Sequence, residues 1–339
     1  MDAAGELTAR SSASAARRAY VGRFAPSPTG PLHLGSLVAA LASWADARAH
    51  GGVWLVRIED VDTTRASREA ERMILGQLAA CGLASDGPIL RQSERSAHYA
   101  VALARLEAQG LVFGCRCSRR MLAQAPINAW GEPIYPGTCA WFGLPLEAHA
   151  VRFAAPARGP TRFTDRRHGP VEQDVCAEVG PFVVRRADGC YSYQLAVLVD
   201  DADQGVTDVV RGDDLLMNTP RQIALAEALG FPIPRYLHLP LVRAADGQKL
   251  SKQTLARPIA TDEALPALRA AWQHLGQIDP GRIDGIEAFL RFAAKHWETV
   301  RLPIAAASVG FPAISSLGPD SYNRSHVTTR THDPARDRP

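Results

Sequence analysis

The chain has 339 residues, 46% of them hydrophobic and 22% charged, with a formal net charge of +3. That length accommodates two or three domains. No apolar stretch is long enough to span a bilayer, no secretory signal is evident and no strongly basic tail announces a nucleic-acid partner, although a folded RNA-binding face can be basic on a nearly neutral chain.

Residues 1–19, rich in Ala, Ser and Arg, read as a disordered leader, and Asp2 and Glu6 weigh against a transit peptide. An apolar run, Tyr20 to Phe24, then leads into Arg23-Phe24-Ala25-Pro26-Ser27-Pro28-Thr29-Gly30-Pro31-Leu32-His33-Leu34-Gly35-Ser36. Leu34, Leu37, Val38, Leu41, Trp44 and Ala45 recur at three- and four-residue steps, which marks one buried helix face. A second strand, Val53 to Ile58, ends in Glu59-Asp60-Val61-Asp62 and completes a βαβ unit with polar residues at the carboxyl edge of the sheet. A helix amino end approached by a glycine-containing turn is a ready phosphate site. There is no G-x-G-x-x-G, and Ser36-Leu37 stands where a P-loop needs Lys-Ser/Thr, so neither a dinucleotide fold nor a P-loop NTPase is supported. His33 can donate to a phosphate oxygen while Gly35 lets a nucleotide approach the backbone.

Ser67 to Cys81 and Ser93 to Gln109 read as helices, with Met73, Ile74, Leu78 and then Tyr99, Leu103, Leu106 on their apolar faces and glycines just beyond their ends. Six cysteines follow a reducing-compartment pattern, without expected disulfides, and the setting is taken as cytoplasmic. Cys115-Arg116-Cys117 and Cys139 put three thiolates in a compact insertion, a tetrahedral Zn²⁺ site lacking one ligand; the fourth could be water, a distant His or Tyr135. Cys81, Cys176 and Cys190 read as small core or surface residues. Arg119, Arg120, Arg152, Arg162, Arg166 and Arg167 fall in or near the insertion and are candidates for meeting an RNA backbone.

Past the insertion the sheet is expected to resume with strands at Phe182 to Arg185, Tyr193 to Val199 and Val206 to Arg211. Asp200-Asp201-Ala202-Asp203 reads as a solvated turn, and Thr219 to Leu229 as a helix. Of 38 basic side chains only three are lysine, and two of those lie in Lys249-Leu250-Ser251-Lys252-Gln253. A composition that otherwise uses arginine has kept the compact, mobile ammonium here, which points to phosphate chemistry. Asp262 to Leu275 and Gly285 to Trp297 read as helices, and periodicity is lost after about Val309. The pattern as a whole is that of an α/β protein with a doubly wound parallel sheet carrying an insertion.

The block from Arg23 to Ser36 resembles the HIGH motif of class I aminoacyl-tRNA synthetases, in the form used by glutamyl enzymes, and Lys249 to Gln253 is similar to their KMSKS loop. His33-Leu34-Gly35-Ser36 and Lys249-Leu250-Ser251-Lys252-Gln253 depart from full-length glutamyl-tRNA synthetases and look like a family of small paralogues, the glutamyl-queuosine tRNA(Asp) synthetases. The resemblance spans residues 20–255. It implies a Rossmann-like catalytic domain in two halves, 20–110 and 181–255, split by a zinc-binding insertion, 111–180, and followed by a truncated helical domain, 256–308, and a disordered tail, 309–339. The remaining length is expected to leave no room for dedicated anticodon-binding domains, so the protein either ignores the anticodon or places the anticodon loop itself in the active site, and the resemblance implies the second.

By the same resemblance, glutamate is activated with ATP and Mg²⁺ and esterified to queuosine at the wobble position of tRNA(Asp). His33, Lys249 and Lys252 are the implied catalytic residues, and Gly35, Ser36 and Ser251 join them in binding ATP. Arg23, Phe24, Ala25, Pro26, Ser27, Glu59, Tyr193 and Arg211 are the implied glutamate site: two arginines for carboxylates, Glu59 for the ammonium and Tyr193 as a pocket tyrosine. The resemblance favours Tyr135 as the fourth zinc ligand beside Cys115, Cys117 and Cys139. A monomer without membrane association is expected. The alternatives are a truncated conventional glutamyl- or glutaminyl-tRNA synthetase, a nucleotidyltransferase acting on a small molecule, and a non-catalytic tRNA-binding relative.

Overall fold

The computed structural model describes residues 19–243 and 257–304, so the leader, the KMSKS-like loop with Lys249, Ser251 and Lys252, and the tail lie outside the described residues. The chain opens β1 (Val21–Phe24), α1 (Leu34–Ala49), β2 (Val53–Ile58), α2 (Arg68–Ala80), β3 (Leu90–Arg91) and α3 (Ser96–Ala108). Ser67 caps α2 by accepting from the N–H groups of Glu69 and Ala70, and Gly82 and Gly110, both at φ 68°, follow α2 and α3 in the left-handed conformation that ends a helix. Ile74, Leu78, Tyr99, Leu103 and Leu106 are buried as expected, whereas Met73 is exposed.

There follow β4 (Val112–Cys115), β5 (Ala150–Phe153), β6 (Thr161–Asp165), β7 (Gly169–Gln173), α4 (Val175–Glu178) and β8 (Phe182–Arg185). Next come α5 (Tyr193–Asp203), β9 (Asp208–Gly212), α6 (Thr219–Leu229), β10 (Arg235–Leu239), α7 (Ala264–His274) and α8 (Ile286–His296). Seven strands form one sheet in the order β3-β2-β1-β9-β10-β6-β7. Every pairing in it is parallel except the β6–β7 hairpin. Strand order reverses beside β1, between β2 and β9, and that switch point is where an open α/β sheet binds its ligand. β4, β5 and β8 form a separate antiparallel sheet.

Three expectations are corrected. Phe182–Arg185 is a strand, but it pairs with β5 in the small sheet. Tyr193–Val199 is not a strand: it opens the helix α5, which runs through the acidic residues to Asp203. Positions 195–201 of that helix are all buried, so no amphipathic period shows in the sequence, and the Tyr/Val content was read as β. The acidic run is therefore not a solvated turn. Asp200 and Asp201 are core residues with arginine partners.

On α1, the buried Asp46 ties distant parts of the chain together. It accepts from Tyr20 Oη at 2.5 Å, from Arg166 Nη1 at 2.5 Å and Nη2 at 2.8 Å, and from Trp297 Nε1 at 2.9 Å. Trp272, Phe289 and Trp297 of the C-terminal helical region share one core with α1. Burial pushes the Asp46 carboxyl up, but the hydrogen bonds and charge of Arg166, with Tyr20 and Trp297, outweigh it and hold the pKa below the ordinary value. Asp46→Asn removes the short ion pair of Arg166 and leaves it only Asp208, at 3.8 Å, and is expected to lower unfolding free energy by about 3 kcal/mol in urea melts. Because the folded-state pKa is depressed, the wild-type advantage should be complete above about pH 4 and shrink as pH falls further.

Candidate functional site

The carboxyl ends of β1, β2, β9 and β10 converge at the switch point. After β1 the chain passes through Pro26, whose carbonyl accepts from Glu59 N–H at 3.0 Å, and through Pro28, whose carbonyl accepts from Ser67 N–H at 2.9 Å. These bonds lay the segment Ala25–Ser27 along the end of β2. At the far end of the turn His33 caps α1: its Nδ1 accepts from the N–H groups of Gly35 at 3.1 Å and Ser36 at 3.4 Å, while Ser36 Oγ accepts from His33 N–H at 2.8 Å. With Nδ1 used as an acceptor, the neutral ring carries its proton on Nε2, so the outer nitrogen is a donor. His33, Gly35 and Ser36 line a cleft of ≈ 190 Å³ whose opposite wall is Gly212, Asp214 and Leu239–Val242.

Both described flanks of the KMSKS-like loop border this cleft. Leu241 and Val242 line it, and Pro258 pairs with His33 in an isolated β-bridge. Gln77 locks the second flank: its side chain accepts from Leu32 N–H at 2.7 Å and donates to the Ile259 carbonyl at 2.8 Å.

Deeper in the switch point lie three buried arginines. Arg23, 3% exposed, donates through Nε and Nη2 to Asp201 at 3.1 and 3.3 Å. Arg57, fully buried on β2, reaches the same carboxylate at 2.7 Å and lies 3.6 Å from Glu59. Arg211, 5% exposed at the end of β9, is different. Its guanidinium donates to His238 Nε2 at 3.0 Å, Gln222 Oε1 at 2.8 Å, Thr219 Oγ1 at 2.8 Å, Tyr193 Oη at 3.3 Å and the Leu215 carbonyl at 3.3 Å. These acceptors are all neutral, and among the described residues no carboxylate forms an ion pair with it. A buried cation held in place but not neutralised is a site for an anion.

His238 is kept neutral to serve as that acceptor. Burial lowers its pKa to about 4, the Arg211 charge adds to the lowering, and a 2.7 Å hydrogen bond to Asp165 opposes it. Asp165 thereby fixes the proton on Nδ1 and presents the Nε2 lone pair to Arg211.

Glu59 is the complement of Arg211. Its side chain is 8% exposed, and its ion pair with Arg57 is long. Burial raises its pKa to about 7 against the opposing charges of Arg57 and Arg23, and Asp201 and Asp200 add to the rise. Tyr193, the first residue of α5, has its pKa raised by burial, so it stays a phenol; the charges of Arg211, Glu59, Arg23 and Asp201 all act on it. The structure thus brings together Arg23, Glu59, Tyr193 and Arg211 from four elements. Sequence analysis missed Arg57, Asp201, Asp165 and His238. The available signal was a charged residue inside an apolar central strand, as in Val53-Trp54-Leu55-Val56-Arg57-Ile58, which requires a buried partner.

A second cluster lies in the small-sheet lobe. Cys115, Cys117 and Cys139 have their sulfur atoms within 4.8 Å of one another, and Cys117 and Cys139 are 3.5 Å apart, close to the edge of about 3.8 Å implied by zinc–sulfur bonds in a tetrahedron. Tyr135 Oη lies 3.3 Å from Cys115 Sγ and 3.7 Å from Cys117 Sγ. Burial pushes the Cys139 thiol up, but hydrogen bonds from Tyr135, the Arg116 N–H and Cys117 bring it down to about 7. Arg152 donates to Cys115 Sγ at 3.2 Å and stacks on Tyr135 at 3.8 Å. The donor set fits a cation that prefers sulfur.

Three of the arginines considered for RNA contact are committed elsewhere: Arg152 to this cluster, Arg166 to Asp46, and Arg167 to Asp213 and the Pro303 carbonyl. Arg162 pairs with Glu172 on the surface, and Arg119 and Arg120 are exposed.

Residues 20–133 and 143–265 match the family of class I tRNA synthetases (E and Q), catalytic domain. The chain is 53% identical over 289 residues to the glutamyl-Q tRNA(Asp) synthetase of Thiobacillus denitrificans, covering 84% of this chain and 95% of that one. It is 56% identical over 274 residues to that of Leptothrix cholodnii, covering 77% and 91%. Among solved structures, the glutamate tRNA ligase of Elizabethkingia meningosepticum in complex with its amino acid superposes with a TM-score of 0.68 at 26% identity, over 84% of this chain and 66% of that one. The glutamate-tRNA synthetase of Elizabethkingia anophelis gives the same score and coverage at 24% identity, a likeness of fold. This chain therefore spans just under two thirds of the length of those two solved enzymes. With its parallel sheet, its capped turn at the switch point and its extended similarity, the chain belongs to the class I glutamyl- and glutaminyl-tRNA synthetase catalytic-domain family and, within it, to the glutamyl-Q tRNA(Asp) synthetases.

Proposed function

We propose that this protein activates L-glutamate with ATP and transfers it to queuosine in tRNA(Asp). The observation that carries the activation step is the buried, un-neutralised guanidinium of Arg211 across the switch point from the poorly compensated carboxyl of Glu59. An α-amino dicarboxylate supplies what each lacks: a carboxylate for Arg211, and an ammonium for Glu59. Arg23 stands beside them as the second cation, and Ala25–Ser27 forms the backbone wall.

In this reading the glutamate α-carboxylate attacks the α-phosphorus of ATP with loss of pyrophosphate, and a hydroxyl of the tRNA then attacks the acyl carbon of the glutamyl-adenylate, forming the ester and releasing AMP. The protein contributes position and charge rather than a covalent intermediate. His33 Nε2–H donates to a phosphate oxygen at the α1 amino terminus, where the helix dipole also favours negative charge. Gly35 and Ser36 border the nucleotide, and Lys249, Ser251 and Lys252 supply the remaining phosphate contacts from the loop whose described flanks meet His33. Mg²⁺ accompanies the pyrophosphate. Cys115, Cys117, Cys139 and Tyr135 would hold Zn²⁺ as a structural ion fixing the small-sheet lobe.

The acceptor follows from the relatives named above, of which this chain covers more than nine tenths. Transfer of labelled glutamate is expected to tRNA(Asp) from a queuosine-containing pool and not to a queuosine-free one. Labelling of a glutamate tRNA in both pools would instead make this a conventional glutamyl-tRNA synthetase.

Two further outcomes test the pocket. Arg211→Gln should raise the glutamate KM on the order of 10²-fold in ATP–pyrophosphate exchange while leaving the ATP KM unchanged. Glu59 must be ionised to receive the ammonium. With its pKa near 7, glutamate affinity should be full above that pH and fall roughly tenfold per unit below it. A pH-independent glutamate KM between pH 5.5 and 8 (roughly the span that brackets this titration) would remove Glu59 from that role.

A further inference from the structure

Trp141, two residues after Cys139, is 93% exposed. A side chain that ordinarily buries about 150–250 Å² is here presented whole to solvent. Phe142 beside it is 54% exposed, and the Arg116 guanidinium lies 5.4 Å over its ring. Arg116, Arg119 and Arg120 are all exposed and sit on the turn that carries Cys115 and Cys117. The sulfur cluster therefore clamps two adjacent turns, one bearing arginines and the other bearing aromatic rings. Between Cys115 and Leu146 the one acidic residue is Glu132, and it is committed to Arg221 of α6. That segment is thus net cationic, with the exposed Glu147 next along the chain, and carries planar rings in water.

That combination suits an unpaired nucleotide, whose base stacks on an aromatic ring while its phosphates meet arginine. We propose that Trp141, Phe142 and Arg116, flanked by Arg119 and Arg120, form a stacking platform for an unpaired base of the RNA substrate. This rests on the assignment of a tRNA acceptor above and extends it to a surface built by the metal-ligand lobe, separate from the glutamate and ATP sites. An acidic protein is the rival occupant of a cationic face; the unsupported indole favours the nucleotide, because stacking is what an exposed flat ring offers.

The test uses the full-length protein and purified tRNA(Asp) carrying queuosine. Trp141→Ala should raise the tRNA KM for glutamate transfer on the order of 5- to 100-fold, with ATP–pyrophosphate exchange at saturating glutamate unchanged. Trp141→Phe, which keeps a ring, should retain most of the affinity. The chain has six tryptophans, so indole emission of the wild type and of Trp141→Phe is compared during titration with the same tRNA. A quench present in the wild type and absent from the variant is expected. A wild-type tRNA KM in Trp141→Ala, with equal quenching in both proteins, overturns the platform and leaves the face to a protein partner. If the wild type transfers no glutamate, the assigned function fails, and the fluorescence titration still decides the platform by itself.

Discussion

Removing a guanidinium from water costs several kcal/mol unless its charge and hydrogen bonds are met, and this sheet buries three of them at its carboxyl edge. Arg23 and Arg57 share Asp201, a residue delivered by the helix α5. Arg211 is satisfied by dipoles alone. Arg23 and Arg57 are ion-paired and fix β1, β2 and α5 relative to one another. The third keeps an electrostatic deficit that a carboxylate ligand can fill.

Holding that deficit requires rigidity, because a mobile arginine would turn towards solvent or towards Asp201. Asp165 orients His238, His238 accepts from Arg211 Nε, and Gln222 and Thr219 of α6, Tyr193 of α5 and the Leu215 carbonyl take the remaining N–H groups. Four elements thus determine the direction of one fork. Preorganisation of this kind lowers the cost of ordering the ligand site on binding. The turn before α1 is built by a different device, a histidine that caps its own helix through Nδ1. At the small-sheet lobe Cys115, Cys117 and Cys139 bring two turns together over Tyr135, Phe113, Leu122 and Leu144, and those turns carry exposed rings and cations.

Much of this was legible in the chain itself. The βαβ unit and the helices at Ser67 and Thr219 follow from local periodicity, with Ser67 capping its own helix; that His33 caps α1 emerged only from the structure. The three cysteines were legible as a donor set from their spacing in a reducing setting, whereas Tyr135 was singled out only by the family resemblance. The helix α5 was not legible: its positions 195–201 are all buried, and a residue surrounded by core carries no periodic signal.

What the sequence by itself determined is the inventory and the local conformation: a glycine- and proline-bounded turn before a helix, two lysines among arginines, and arginines at strand ends. What the tertiary structure alone decided is which charges meet. Asp201 comes to Arg23 across 178 residues and His238 to Arg211 across 27, and Arg166, a candidate for RNA, is spent on Asp46 across 120. Coulomb energy and desolvation depend on distances through space and on burial, neither of which is encoded in spacing along the chain. A lone arginine therefore announces its charge in sequence, but whether that charge is a strut or a receptor is settled only when the fold closes around it.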